Sequence, residues 1–249
     1  MSGISKVTRA LDLLVDPQAW RYLLRARCPS VASYRMCKAV GLSESGFRTV
    51  IDVGANQGQF AVAAAWCFPL AKIFSFEPVP STVEVLRKNT RRIPRVTVCP
   101  VALGAGNGEL KFFENAYSHA SSALPVHVNQ SGLWPQTASA REIKVPVKTL
   151  DSWDFQGPLL GPVLLKLDVQ GFEREVLKGA GNLLPKVDYL VFEASFVRLY
   201  EGEPLFEEMH EFVGRLGFGI VGPVGLLEGK NRQVLQMDML YRRERTVAS

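Results

Sequence analysis

The sequence predicts an α/β fold: a mostly parallel sheet with helices on both faces and one reversed strand near its end. Three observations lead there. Strand-like and helix-like segments alternate from residue 48 onward, the pattern of right-handed crossover connections. The segment GPVLLKLDV at 161–169 is almost continuously apolar, as a strand covered on both faces should be. The last two strand-like segments, GFGIVGPV and QVLQMDMLYRR, are joined only by GLLEGKN. That connection is too short for a crossover helix, so this pair is expected to be antiparallel.

The chain has 249 residues, 47% hydrophobic and 21% charged. These are globular values for one large domain, and they exclude a disordered or collagen-like chain. With 29 Lys and Arg against 24 Asp and Glu, the excess is too small for a nucleic-acid partner. Cysteines at 28, 37, 67 and 99 form no zinc-ligand spacing. Cys67 and Cys99 fall in apolar runs and are expected as buried thiols, which suits a reducing compartment. No signal-peptide pattern is visible, and no run of about 18 apolar residues occurs. The expected location is the cytoplasm.

In chain order, residues 1–45 read as helical, with Leu11, Leu14 and Val15, then Trp20, Leu23 and Leu24 after Pro17. They are expected to form a cap on the acceptor side of a domain at 46–249, or an amphipathic contact with a membrane surface. FRTVIDVG is a strand ending in Gly54, and NQGQFAVAAAWCF a helix stopped by Pro69. AKIFSFEP is the second strand, PSTVEVLRKNTRR the second helix, and RVTVCPVAL the third strand. GNGELKFFEN and REIKVPVKTL read as strands of a different kind, with a long loop at 115–140 between them. After GPVLLKLDV come the helix GFEREVLKGAGNLL, the strand VDYLVFEASF, and the helix of EPLFEEMHEFVGRLGF.

Ligands of open α/β sheets lie beyond the carboxyl ends of the strands. That singles out Asp52, Gly54, Glu77, Ala102, Leu103, Asp168 and Glu193. The turn D-V-G-A-N-Q-G-Q-F, from Asp52 to Phe60, brings backbone close to a ligand at Gly54 and Gly58. A dinucleotide loop requires glycines where this chain has Asn56 and Gln59. The acidic strand end suits a ligand with positive charge. Glu77, 23 residues past Gly54, is placed to accept both hydroxyls of a ribose, or else to cap the next helix. Lys166 and Asp168 share one face of an apolar strand, where charge is costly unless paired or used. A buried ion pair of Lys166 with Asp168 or Glu193 is the structural alternative. Glu173 falls in the first turn of the next helix, where its charge suits the helix dipole.

The motifs VIDVGANQGQF, FSFEPVPSTVEVLRKN, VALG, SSAL, LKLDVQGFEREVLKGA, LVFEASF and MDMLYRR, in this order and spacing, resemble the FkbM family of S-adenosylmethionine-dependent methyltransferases. The resemblance spans residues 48 to about 242. It implies a class I methyltransferase fold, a Rossmann-like seven-stranded sheet in order 3-2-1-4-5-7-6 with the last strand antiparallel. It implies S-adenosyl-L-methionine as cofactor, with Asp52, Gly54, Asn56 and Gly58 at the methionine end, Glu77 on the ribose, and Ala102 and Leu103 facing the adenine. It implies an acceptor hydroxyl on a sugar residue of a glycolipid, oligosaccharide or glycosylated natural product, or on a polyketide. Asp168, Gln170, Glu193 and the pair Ser121 and Ser122 would border that acceptor.

A sugar hydroxyl is a weak acid, so methyl transfer to it calls for a base or a metal. The base candidates are Asp168 first, then Glu193 and His119. Asp168 and Glu193 could instead hold Mg²⁺, the less favoured reading, and no metal ligand set is assigned. Two other readings of the same residues are a nicotinamide-dependent oxidoreductase, against which Asn56, Gln59 and the reversed strand speak, and a non-catalytic nucleoside-binding module. A nucleic-acid base methyltransferase is disfavoured because DVQG stands where such enzymes carry an aromatic motif. The oligomeric state is not legible.

Overall fold

The computed structural model describes residues 16–229 and 232–244. The expectation of a helix through Leu11, Leu14 and Val15 falls outside the described residues. Seven strands build the main sheet: β1 (Thr49–Val53), β2 (Lys72–Phe76), β3 (Val96–Cys99), β7 (Val163–Leu167), β8 (Tyr189–Ser195), β9 (Phe218–Glu228) and β10 (Val234–Arg243). Their order is β3-β2-β1-β7-β8-β10-β9. Counted along the chain within this sheet alone, that is 3-2-1-4-5-7-6, the order expected of a class I methyltransferase. β10 runs antiparallel to both β8 and β9, while the other pairings are parallel.

The third strand is shorter than expected. It stops at Cys99, before Pro100, and Ala102–Leu103 (β4) leaves the main sheet for a second one. Proline has no N–H for the ladder, so the strand ends there. β4 joins β6 (Ala140–Lys148) and β5 (Gly108–Asn115) in a three-stranded sheet of order β4-β6-β5. The segment between β5 and β6, expected as a loop, is ordered by a 3-10 turn at Ser118–Ala120, a short helix at Val128–Leu133, and a second turn at Pro135–Thr137. Asn115 ties it together: its Nδ2 donates to the Thr137 carbonyl, its Oδ1 accepts from Tyr117 N–H, and its own N–H donates to Ser121 Oγ.

The described helices are α1 (Pro17–Arg25), α2 (Val31–Ser43), α3 (Gln59–Cys67), α4 (Pro80–Thr90), α5 (Val128–Leu133), α6 (Glu173–Lys178) and α7 (Phe206–Arg215). α6 is less than half the length that the apolar pattern suggested. It stops at Gly179, its C-cap, where a Cβ would lie 2.0 Å from the Gly104 carbonyl oxygen, so this close approach requires glycine. Cys99 is buried as expected, whereas Cys67 is half-buried.

Each face of the sheet has its own core. On one, Ile51, Val53, Leu165, Leu167 and Phe192 pack under α6 and α7, with Trp153 and Phe155 closing the edge. On the other, Val50, Leu164 and Val191 pack under α3, and α1 and α2 extend this layer. Asp16 caps α1 by accepting from Gln18 N–H at 2.8 Å, with Pro17 at the first helical position. Ser30 caps α2 through Ser33 N–H. Tyr22 of α1 stacks on Tyr34 of α2 with ring centroids 5.0 Å apart and meets Trp66 of α3 edge-on. Residues 16–43 therefore share a core with the rest of the chain. Removing the Tyr22 ring, which is fully buried, is expected to lower stability by about 3–5 kcal/mol in urea denaturation of Tyr22→Ala. A loss under about 1 kcal/mol, the size of a surface change, would show that these helices lie on the domain without belonging to it.

Candidate active site

The carboxyl ends of β1, β2 and β7 open onto a partly open cleft. Val53, Gly54, Asn56, Phe76, Glu77, Val101, Ala102, Leu103, Asp168 and Phe172 form its walls, and Ser118, His119 and Ser121 close it from the second sheet's side. A broader groove of about 2100 Å³ adjoins it and shares His119, Asp168 and Gln170 with it. Val31 and Arg35 of α2, Tyr117, Trp134, Glu193, Gln236 and Asp238 line this groove.

Glu77 ends β2 with its carboxylate turned back on the chain. Oε2 accepts from Asn56 N–H and Oε1 from Val79 N–H, both at 3.0 Å. It thus caps the start of α4 and holds the β1 turn while still standing on the cleft wall, 7% exposed. Burial pushes its carboxyl up to about 7, against the pull of those two N–H groups. Asn56, with φ of 47°, carries a buried Oδ1 without a hydrogen-bond donor among the described residues.

Asp52 is fully buried beneath this surface, and the cleft lining does not include it. Its register neighbour on β7 is Lys166, and the Lys166 ammonium lies 3.1 Å from Asp52 Oδ1. The same ammonium lies 3.3 Å from Asp168 Oδ2 and donates to the Gly54 carbonyl at 3.3 Å, 5.2 Å from the Phe60 ring centre. The sequence set Asp52 at the methionine end of a cofactor; the structure sets it one layer below, as half of a buried ion pair. Burial opposes the charge on Lys166, but the two carboxylates outweigh it and hold the ammonium above the usual lysine value. Burial raises Asp52, with Lys166 opposing. Gly58 likewise lies off the cleft lining, at the start of α3 with φ of 93° and packed on Leu86.

Asp168 follows the end of β7, and Glu193 and Asp238 lie within the neighbouring strands β8 and β10. Glu193 and Asp238 are register partners, and Asp238 in turn faces Gly225 of β9. A Cβ on Gly225 would fall 1.9 Å from Asp238 Oδ2, so the glycine makes room for that carboxyl. Gln170, at φ of 57°, bridges the row. Its Nε2 donates to Asp168 Oδ1 at 2.8 Å and to Glu193 Oε2 at 3.0 Å. Tyr200 OH donates to Gln170 Oε1, and Gln130 Nε2 donates to Tyr200 OH. Ser122 is buried, and its hydroxyl donates to the Gln170 carbonyl; Ser121 lines the cleft. Glu173, buried, folds its Oε1 back onto Val169 N–H.

The acids of this row differ in charge. Burial works against Asp168, but Lys166 and Gln170 together hold its carboxyl below the usual aspartate value. Burial, followed by the charges of Asp168 and Asp238, drives Glu193 well above the ordinary range. Burial and then Asp168 push Asp238 up to about 7. Among the described residues no group of three or more His, Cys, Asp or Glu side chains is arranged to hold a metal ion. The sequence reading missed Asp238, although a charge inside the apolar run MDMLY is the signal that exposed Lys166. It also missed Gln236 and Trp134, which no local pattern marks.

The sheet order, the reversed strand and a cleft at the strand ends define a class I S-adenosylmethionine-dependent methyltransferase. The sequence matches the methyltransferase FkbM domain over residues 52–220. The chain belongs to the FkbM methyltransferase family. It is 29% identical over 170 residues to the 2-O-methyltransferase NoeI of Sinorhizobium fredii, covering 66% of this chain and 70% of that one. It is 31% identical over 146 residues to the hexuronic acid methyltransferase AglP of Haloferax volcanii, covering 57% and 54%. It is 28% identical over 216 residues to the 31-O-demethyl-FK506 methyltransferase FkbM of Streptomyces tacrolimicus, covering 77% and 75%.

The cleft suits the cofactor. One end offers an acceptor, the undonated Asn56 Oδ1, for the ammonium of the amino-acid portion. The other end offers the apolar slot of Phe76, Val101 and Phe172 for an aromatic base.

Lys166 is the cation on which the buried acids depend. Lys166→Met is expected to cost about 3–5 kcal/mol at pH 7, because Asp52 is then buried without its partner. The loss should shrink as pH falls and Asp52 takes up a proton. Urea denaturation at several pH values measures both, and a constant loss across that range would contradict the pairing.

Proposed function

We propose that the protein transfers the methyl group of S-adenosylmethionine to a hydroxyl oxygen of a sugar residue, with Asp168 as proton acceptor. The observation that carries this reading is the place and charge of Asp168: an ionised carboxylate, its side chain 39% exposed, at the junction of cleft and groove. The relatives named for 2-O-, 31-O- and hexuronic acid methylation support an oxygen acceptor. Tyr117 and Trp134 on the groove wall offer the flat faces on which sugar rings rest. A glycolipid fits the same reading: α1 exposes Trp20 and Leu24 beside Arg21 and Arg25, a mixture suited to the edge of a membrane. No helix among the described residues is long and apolar enough to cross one.

When bound, S-adenosylmethionine supplies a methyl group on positively charged sulfur, which departs as a neutral thioether. The chain's residues position the partners and move one proton. Glu77 would hold the ribose hydroxyls, Asn56 the amino-acid portion, and Val101, Ala102 and Leu103 would border the base. Asp168 would take the acceptor's proton as the methyl group passes from sulfur to the acceptor oxygen. Lys166 keeps Asp168 ionised beforehand, and Gln170 fixes its orientation. His119, exposed at the same junction, is the second candidate for the proton.

Asp168→Asn keeps the shape and removes the basicity. Turnover should fall by about 10²–10⁴ while affinity for S-adenosylhomocysteine changes little, since Lys166 still holds Asp52 and Gly54. Full turnover in single-turnover assays would pass the role to His119.

Glu77 gives a pH test. Its carboxyl titrates near 7 in the free protein, and ribose hydroxyls donate to the ionised form. Affinity for S-adenosylhomocysteine should therefore strengthen as pH rises through about 7, with a proton released on binding. Calorimetry in buffers of different ionisation heat detects that proton, and Glu77→Gln should abolish it. A pH-independent affinity in the wild type would return Glu77 to a purely structural role.

A further inference from the structure

The geometry points to an acceptor that presents a vicinal diol: one hydroxyl gives its proton to Asp168, and its neighbour accepts a hydrogen bond from the Glu193 carboxyl. This inference rests on the sugar reading above and narrows it.

One hydrogen-bond chain fixes the orientation of the Gln170 amide. Gln130 Nε2 donates to Tyr200 OH, and Tyr200 OH donates to Gln170 Oε1. That leaves the Gln170 –NH₂ facing the acids, one hydrogen on Asp168 Oδ1 and one on Glu193 Oε2. The reverse orientation would set a carbonyl oxygen against two carboxyls. Across one trigonal –NH₂ the two acids lie about 5 Å apart, a gap that two adjacent hydroxyls, each bonded outward, can bridge.

The second step concerns charge. Groups facing Glu193 come from every strand around it: Asp168 and Gln170 from the end of β7, Glu173 from α6, Asp238 and Gln236 from β10, and Tyr200 from the loop after β8. None of them is a cation. The nearest cation in the row, Lys166, is already shared by Asp52 and Asp168. Arg35 of α2 and His119 line the same groove, but burial, then the charges of Asp168 and Asp238, prevail and raise Glu193.

The third step locates the proton. Glu193 Oε2 accepts two amide hydrogens, from Gln170 and from Gln236 at 2.9 Å. It is therefore the carbonyl oxygen of a neutral carboxyl. Oε1 has no hydrogen bond among the described residues, and Glu193 lines the groove, so the O–H of Oε1 is available to an oxygen of the acceptor. Two acids one amide apart thus take opposite parts, one accepting a proton and one donating a hydrogen bond, because their surroundings differ.

The experiment screens simple methyl pyranosides with S-adenosylmethionine. For each one methylated, it compares the analogue lacking the hydroxyl next to the methylated one. In the wild type the deoxy analogue should lose about 10–100-fold in kcat/KM, the scale of one hydrogen bond to a buried donor. In Glu193→Leu that penalty should vanish, because the diol itself has lost its donor. Glu193→Gln, which keeps a carbonyl for the two amides and an N–H for the acceptor, should recover most of the diol's rate. Equal wild-type rates for diol and deoxy analogue would overturn the inference, as would a Gln variant as impaired as the Leu variant.

If no pyranoside is methylated although S-adenosylhomocysteine binds, the sugar reading fails. The state of Glu193 is then read in the free protein by infrared difference spectroscopy. A protonated-carboxyl stretch present in the wild type at pH 7 and absent from Glu193→Gln supports the neutral acid. No difference between the two spectra overturns it.

Discussion

One buried ammonium sets the terms for the active site. Lys166 reaches Asp52, Asp168 and the Gly54 carbonyl at once, and so locks the end of β7 to the turn after β1. A second contact tightens that lock: a Cβ on Gly54 would lie 1.8 Å from the Asp168 carbonyl oxygen, and Gly54 has φ of 77°. Only a residue without a side chain lets the two strand ends meet this closely. Asp168 is held against the cofactor loop from both its side chain and its backbone. Burial, and after it the charge of Asp168, raises Glu193 and Asp238, one and two strands further along. Lys166 lies against only one acid of that row, Asp168, and holds it ionised.

The sheet was legible because its strands are short apolar runs between helical periods, and because a seven-residue connection cannot cross over. The strand ends were legible for the same reason, and with them Glu77, Asp168 and Glu193. Asp52 was placed at the ligand because an acid near a strand end reads alike whether it faces solvent or the interior. Its pairing with Lys166 depends on the register of β1 against β7, which a chain read in one dimension does not contain. Ser122 was read as an acceptor contact, and its buried hydroxyl donates to the Gln170 carbonyl, a pairing no local pattern marks. The row from Asp168 to Asp238 joins residues 70 positions apart. The bridge through Gln170, Tyr200 and Gln130 ties the long connection to the segments after β7 and β8. Such networks arise from topology and have no sequence period.

The second sheet and the N-terminal helices give a common architecture its particular groove. Pro100 diverts the chain from the main sheet into β4, and β5 and β6 then carry the segment that brings Tyr117, His119 and Trp134 to the site. On the opposite side, α2 buries Tyr34, Cys37 and Val40 in the core while its first turns present Val31 and Arg35 to the groove. Rigid anchoring and ligand contact thus come from two faces of one helix. The cleft joins the ends of β1, β2 and β7 to β4, β5 and the segment after β5, and the groove joins the acids of β8 and β10 to α2 and that same segment.

The most direct test is a crystal structure with S-adenosylhomocysteine bound. The account predicts the ribose hydroxyls on Glu77, the base between Phe76 and Phe172, and the sulfur turned toward Asp168 at the opening into the groove. A nucleoside bound with its sulfur directed away from Asp168, or with Glu77 out of reach of the ribose, would contradict it.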